Sequence, residues 1–85
     1  MRPLVLPQVN LNGTSREALV EQQLDVMHAI RALKAAMNEA APNGRDYQFR
    51  PAEFSPARDA WDERMKLIHD MGNEIEAHAM AIHES

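Results

Sequence analysis

A chain of 85 residues with a formal net charge of −4 has room for one small domain. The absence of cysteine excludes disulfides, thiolate chemistry and cysteine-based zinc sites. No apolar run is long enough for a transmembrane helix, and the apolar stretch within residues 1–8 is too short for a secretory signal, so we expect a cytoplasmic protein with no membrane partner. The many alanines and the aromatic content of only 5% favour an all-α fold over a sheet.

The first helix is predicted over residues 14–41, after an extended N-terminal arm at residues 1–13. The arm contains two prolines and shows no helical periodicity. Thr14 and Glu17 have the spacing of a capping box, in which each side chain bonds the other residue's backbone N–H. In the helix a seam of apolar residues, with Gln23 as its one polar member, recurs at alternating spacings of four and three and is flanked by alanines, where another backbone could approach closely. This predicted seam consists of Leu19, Val26, Ile30, Leu33 and Met37.

The second helix is predicted over residues 56–83, after a loop at residues 42–55. Ser55 is the predicted cap and Pro56 the first helical residue, where no N–H is needed. Two such helices predict an antiparallel hairpin. Because each helix shields only one side of the other, we expect the arm and further copies of the chain to cover the rest, in a homo-oligomeric helical bundle. The seam of this helix consists of Trp61, Met65, Ile68, Gly72, Ile75, Ala79 and Ile82.

Catalytic and metal-binding patterns are absent from the sequence. The four histidines form no His-x3-His pair and no Glu-x-x-His motif. The three serines lie at predicted helix starts and at the last position, without a histidine and a carboxylate at suggestive spacing. We therefore predict no catalytic residue, no metal ligand and no cofactor, and interpret the chain as a non-enzyme.

The loop between the helices is the strongest candidate for ligand binding. It places arginines and aromatic residues side by side in an otherwise acidic protein. Guanidinium groups bind phosphate in two-pronged fashion and an aromatic face stacks on a base, so Arg45 and Arg50 are predicted to hold phosphate and Tyr47 to stack or to order the loop. Asn43 and Gly44 would let the backbone approach the ligand closely. The alternative is that Phe49 and Phe54 close the end of the hairpin beside Trp61, while the arginines form salt bridges at the helix ends.

A second part of the predicted site precedes the first helix. Asn12 and Thr14 lie beside exposed N–H groups, which can bind an anion, and they can come from the same or a neighbouring chain. Turn formation and helix capping explain the same residues without a ligand. A net charge of −4 argues against long nucleic acid, whereas a small nucleotide needs only a local positive pocket.

Two motifs carry a resemblance to a known group of proteins. The segments VNLNGTSREAL and AAPNGRDYQ resemble short, mostly uncharacterised phage and prophage proteins with an LNGTS-like helix start and an APNGRDYY-like turn. Gln48 stands where that pattern has a second tyrosine. In size and layout the chain is also similar to the helical phage sponges of the anti-CBASS and anti-Thoeris kind. That resemblance implies an oligomer that binds a cyclic oligonucleotide or a cyclic ADP-ribose derivative without cleaving it.

Two functions are compatible with these observations. The first is a phage-type inhibitor of bacterial immunity that sequesters a nucleotide-derived signal in the host cytoplasm, with Arg45, Tyr47, Arg50, Asn43 and Gly44 as ligand-binding residues. The second is a helical interaction protein that docks on a host or phage protein, or a small phage assembly component.

Overall fold

The computed structural model describes all 85 residues and contains helices but no strand. Helix α1 spans Arg16–Glu39 and helix α2 spans Phe54–Glu84, with two short 3-10 turns at Gly44–Tyr47 and Pro51–Glu53 between them. Contacts across the helices join the end of α1 to the start of α2, so the two helices run antiparallel. The predicted all-α fold is confirmed, and the chain forms an elongated hairpin of 63 × 22 × 17 Å.

The N-cap of α1 lies one residue after the predicted cap, and the helix begins at Arg16, two residues after the predicted start. Ser15, not Thr14, is the N-cap: its backbone is extended, and its hydroxyl accepts a hydrogen bond from the Ala18 N–H at 3.2 Å. The predicted capping box is therefore wrong, because the serine already supplies the acceptor that the first turn needs. The helix ends at Glu39, before the predicted residue 41, since a residue that precedes proline, here Ala41, disfavours the helical conformation.

The start of α2 also differs from the prediction. The helix begins at Phe54, so Ser55 lies inside its first turn and makes no capping hydrogen bond. The reason is the preceding 3-10 turn, whose Pro51 carbonyl accepts the Phe54 N–H and which leads directly into the helix. Pro56 stays within the first turn, where its missing N–H removes no helical hydrogen bond.

The α2 seam is confirmed, whereas the α1 seam is partly wrong. Every predicted seam residue of α2 is buried or half-buried. On α1, Met27 and Lys34 are half-buried, while the predicted Val26 and Leu33 remain 41% and 47% exposed. The apolar arc of α1 covers about half of its circumference, and one partner helix covers only about a third of that circumference.

The loop end of the hairpin is held by Trp61. Its indole N–H donates to the Met37 carbonyl at 2.8 Å. This carbonyl lies in the last turn of α1, where helix carbonyls lack a partner within the helix. The Trp61 side chain of α2 therefore supplies a hydrogen-bond donor that the last turn of α1 lacks. At the opposite, open end lie Ala79 and Ile82, the only two residues of the chain that are fully buried.

Gly72 occupies the middle of the α2 seam, and its replacement should stabilise the hairpin. A Cβ built there would lie 3.4 Å from Ile30 Cγ2 and would meet no other atom within 4 Å, so the contact is an ordinary van der Waals one. Alanine is favoured over glycine inside a helix by about 1 kcal/mol. We expect Gly72→Ala to raise the melting temperature by about 4 °C. A decrease on Gly72→Ala would show that the helices need the glycine for close approach.

The hairpin leaves much of its surface in contact with water. Its accessible surface is 6846 Å². A folded monomer of 9.6 kDa is expected to expose about 5,100 Å². Neither helix has the combination of length and apolarity that a membrane-crossing helix needs.

Candidate functional site

Asn43 and Gly44 form the start of the first 3-10 turn of the loop. The Asn43 side-chain oxygen accepts the Arg45 N–H at 3.0 Å and so caps the first 3-10 turn. Gly44 opens that turn without a positive φ, and a Cβ added to it would meet nothing within 4 Å. The structure thus explains Asn43 by capping and leaves open space beside Gly44.

The aromatic residues of the loop divide into two groups. Tyr47 and Phe54 are half-buried, with ring centroids 5.8 Å apart and planes tilted by 48°. The guanidinium of Arg58 lies 5.7 Å from the Phe54 ring centre, at cation–π distance. Phe54 thus matches the alternative in which it closes the hairpin end together with Phe49. Phe49, in contrast, is 98% exposed.

The two predicted phosphate-binding arginines both point into solvent. Arg50 lies 3.5 Å from the Glu53 carboxylate, an exposed pair of the kind that contributes little to stability. Arg45 is exposed and forms neither an ion pair nor a side-chain hydrogen bond. No cleft of the hairpin is lined by Arg45, Tyr47 or Arg50. The loop therefore offers exposed charge and one exposed ring, without a concave site in the single chain.

Asn12 and Thr14 lie at the other end of α1. The helix between them and the loop has 24 residues and is therefore about 36 Å long. The Asn12 N–H donates to the Asn10 side-chain oxygen at 3.0 Å, and the Gly13 N–H donates to the Asn10 carbonyl at 3.2 Å. One chain cannot bring these residues to the loop, which corrects the same-chain version of the predicted site. They can join it only from a neighbouring copy.

The widest cleft lies near the start of α1 and is strongly acidic. Glu17, Glu21 and Asp25 line it, together with histidines from both helices. Arg16 also lines it, and its Nε is the one buried side-chain nitrogen without a hydrogen-bond partner. No group of three or more potential metal ligands comes together there or elsewhere in the hairpin.

The sequence indicated only part of a further surface. One side of the hairpin, which we call the apolar face, carries neighbouring stripes of apolar side chains from α1 and α2. Its four large side chains are 41–65% exposed. The sequence signal was present, because the α1 stripe includes two predicted seam residues and the flanking alanines. The members are Val26, Ala29, Leu33 and Ala36 of α1, and Ala60, Leu67 and Met71 of α2.

The opposite side of the hairpin is polar along its middle. There a groove over Gly72 is lined by Arg31, Lys34, His69 and Glu76. The Lys34 ammonium lies 3.1 Å from His69 Nδ1 across the two helices. At its open end the opposite side also exposes Leu24 and Met80, but the apolar face carries four large exposed side chains and is therefore the surface most in need of a partner.

Comparisons with protein-family models, with curated protein sequences and with solved structures found no match to this chain. The resemblance to phage proteins therefore rests on the residues of the two motifs alone.

Proposed function

We propose that the protein is a non-enzymatic helical interaction protein that docks its apolar face on a helical partner. The observation that carries the proposal is the exposure of this face, where Leu33, Leu67 and Met71 are 47%, 65% and 46% exposed. Soluble monomers rarely expose contiguous apolar patches of more than a few hundred Å² unless the patch binds something. The spacing of the side chains along each helix suits recognition of another helix, which reads anchors three and four residues apart.

Photo-crosslinking in cells tests this proposal for any protein partner. A benzophenone amino acid is placed at Leu33 on the apolar face or at Leu24, which is 42% exposed on the other side of α1 and serves as the matched control. On irradiation of cells that express the full chain, position 33 should give one discrete adduct and position 24 none. Equal labelling at both positions, or no adduct at either, would contradict docking through this face.

A second function, sequestration of a nucleotide-derived signal, is favoured by a separate observation. Arg45 has no partner, Arg50 is exposed, and the ring of Phe49 between them in sequence is 98% exposed. In this proposal the arginines hold phosphate, Phe49 stacks on a base, and Tyr47 orders the loop through Phe54. Binding alone, without bond cleavage, would remove the signal. A role against bacterial immunity rests only on the resemblance to phage proteins.

Thermal unfolding against cyclic di- and trinucleotides and ADP-ribose isomers tests the second function. A ligand at 100 times its Kd adds about 2.7 kcal/mol, which corresponds to a rise of about 10 °C or more for a domain of this size. The double variant Arg45→Ala/Arg50→Ala should lose this rise. The variant Arg31→Ala, which removes an exposed arginine from mid-α1, should keep it. A flat panel with the wild-type chain would remove this candidate, and recovery of a hydrolysed ligand would indicate an enzyme.

A further inference from the structure

We propose that the partner of the apolar face is a second copy of this chain, and that two hairpins stack face to face into an antiparallel four-helix bundle. The two-fold axis of this dimer lies across the helices, between the levels of Arg31 in α1 and His69 in α2, which are about 3 Å apart. The inference rests on the proposed function, since it requires the apolar face to dock, and it adds the identity and the register of the partner.

The stripe on α2 is self-complementary about His69. Its apolar members Ala60, Leu67 and Met71 belong to a row that also contains Arg64, Glu74 and His78, and this row has the alternating spacings of four and three that are typical of an antiparallel helix seam. When a second α2 is laid on it in the opposite direction, each residue meets the one equally far on the other side of His69. Leucine then meets methionine, and a positive side chain meets a negative one. The opposing pairs are Leu67 with Met71, Arg64 with Glu74, and Ala60 with His78.

The stripe on α1 is self-complementary about Arg31 in the same way. Here each large side chain meets an alanine of the second copy, so that the two helices can interdigitate without a void. The two exposed large residues of this stripe, Val26 and Leu33, would both become covered. The opposing pairs are Leu33 with Ala29 and Val26 with Ala36.

The two centres lie close together in the hairpin, about two residues or 3 Å apart along the helices, because Ile30 lies opposite Gly72, and one two-fold axis therefore passes near both. Arg31 and His69 line the same groove, and the Lys34 ammonium contacts His69 at 3.1 Å. Gly72 faces Ile30, with the position of a Cβ only 3.4 Å from the Ile30 side chain. The position of the symmetry centre in one stripe does not determine the position of the centre in the other stripe. Their closeness depends on how α1 and α2 are aligned in the folded hairpin.

The chain as a whole, with its exposed N-terminal arm included, leaves more than enough surface for such a dimer. The accessible surface of 6846 Å² exceeds the value expected for a monomer of this mass by roughly 1,700 Å². A stable protein–protein interface needs about 800 Å² from each partner. The N-terminal arm does not supply this cover, because its first residue reaches the edge of the apolar face beside Leu67 and Met71 but leaves Leu67 65% exposed.

The same register brings the predicted ligand residues together. Arg16 lies as many residues before Arg31 as Phe54 lies before His69. The start of α1 in one copy is thus level with the start of α2 in the other. Thr14 and Asn12 of the second copy then approach the Arg45 loop, which they cannot do within one chain.

The oligomeric state of the full chain tests the proposed face. By light scattering after gel filtration, the wild type should be a dimer. Leu33→Glu and Leu67→Glu should be folded monomers, since both side chains are already exposed in the hairpin. The matched controls Leu24→Glu and Met80→Glu change side chains that are 42% and 56% exposed on the opposite side and should stay dimeric. Circular dichroism establishes that each variant remains helical.

A charge swap tests the register. Arg64→Glu and Glu74→Arg each place like charges opposite one another in the dimer, and each should weaken it by about tenfold or more. The double variant Arg64→Glu/Glu74→Arg should restore wild-type affinity. Within one helix the two positions are about 15 Å apart, so a restored pair can form only between copies.

Each result other than those expected overturns part of the proposal. A wild type that is monomeric at all concentrations refutes the dimer, while a photo-adduct to another protein at position 33 would leave the proposed docking function intact. Dissociation by Leu24→Glu or Met80→Glu refutes the choice of face. Absence of rescue by the double charge swap refutes the register. Dimerisation only after removal of residues 1–11 would make the arm, not a second copy, the occupant of the face in the full chain.

Discussion

Trp61→Ala should lower the free energy of unfolding by about 3 kcal/mol, the low end of the range for deletion of a large aromatic side chain. Two losses contribute. The indole packs at the loop end of the hairpin, and its N–H is the donor to the Met37 carbonyl at 2.8 Å. Urea denaturation followed by far-UV circular dichroism measures the effect. A loss of this size is a large fraction of the total stability of a small domain.

Two further variants separate these losses. Trp61→Phe keeps most of the packing but leaves the Met37 carbonyl without its donor, so it should cost about 1 kcal/mol. Phe49→Ala removes a ring that is 98% exposed and should change stability by less than about 0.5 kcal/mol. Equal effects of Trp61→Ala and Phe49→Ala would show that the indole does not hold the two helices together.

Ile82→Ala should lower the free energy of unfolding by about 3 kcal/mol, and this is the second of the two largest expected effects. Ile82 is 1% exposed and lies at the open end of the hairpin, where Ala79 is the only other fully buried residue. Removal of three carbons there leaves a cavity that a two-helix structure has few neighbours to fill. Thermal unfolding measures the loss, which should appear as a melting temperature more than 10 °C lower for about 3 kcal/mol in a domain of this size.

Conservative and exposed variants again provide the controls. Ile82→Val should cost only about 1 kcal/mol, because a single methylene is removed. Met80→Ala, two residues away on α2, truncates a side chain that is 56% exposed and should have little effect. If Met80→Ala and Ile82→Ala were equally destabilising, the open end would not be organised around Ile82.

The helices and the α2 seam were predictable because they depend on local spacing. On α2 the seam from Trp61 to Ile82 runs along most of the helix, whereas the second apolar stripe has only Leu67 and Met71 as large side chains, so the longer stripe identifies the side that faces α1. On α1 the apolar arc is wider than one partner helix covers, and the spacing alone did not distinguish Val26 from Met27 as the residue facing α2. The cap at the start of α1 was predicted wrongly at Thr14 for a similar local reason, since Thr14 and Ser15 are both good caps.

The arrangement of the predicted ligand site could not be derived from local sequence patterns. The sequence showed which residue types the loop contains. Which of their side chains are free to bind a ligand, however, depends on where α2 begins. Because α2 begins at Phe54, that ring packs against Tyr47 and Arg58, and Phe49 is left in solvent. The residue pattern predicted Asn12 and Thr14 in the same site, whereas the hairpin separates them from the loop by the length of α1.

Residue spacing and composition were therefore enough to predict the secondary structure, the antiparallel hairpin and an excess of apolar surface over what two helices can cover. Three properties emerged only from the folded hairpin: which of the α1 stripes meets α2, which loop side chains remain free, and that the uncovered stripes of both helices lie on one side with their centres about two residues apart along the hairpin. The physical reason is that these properties depend on the alignment of two helices. That alignment is set by contacts between residues far apart in the chain, such as Trp61 with Met37 and Gly72 with Ile30.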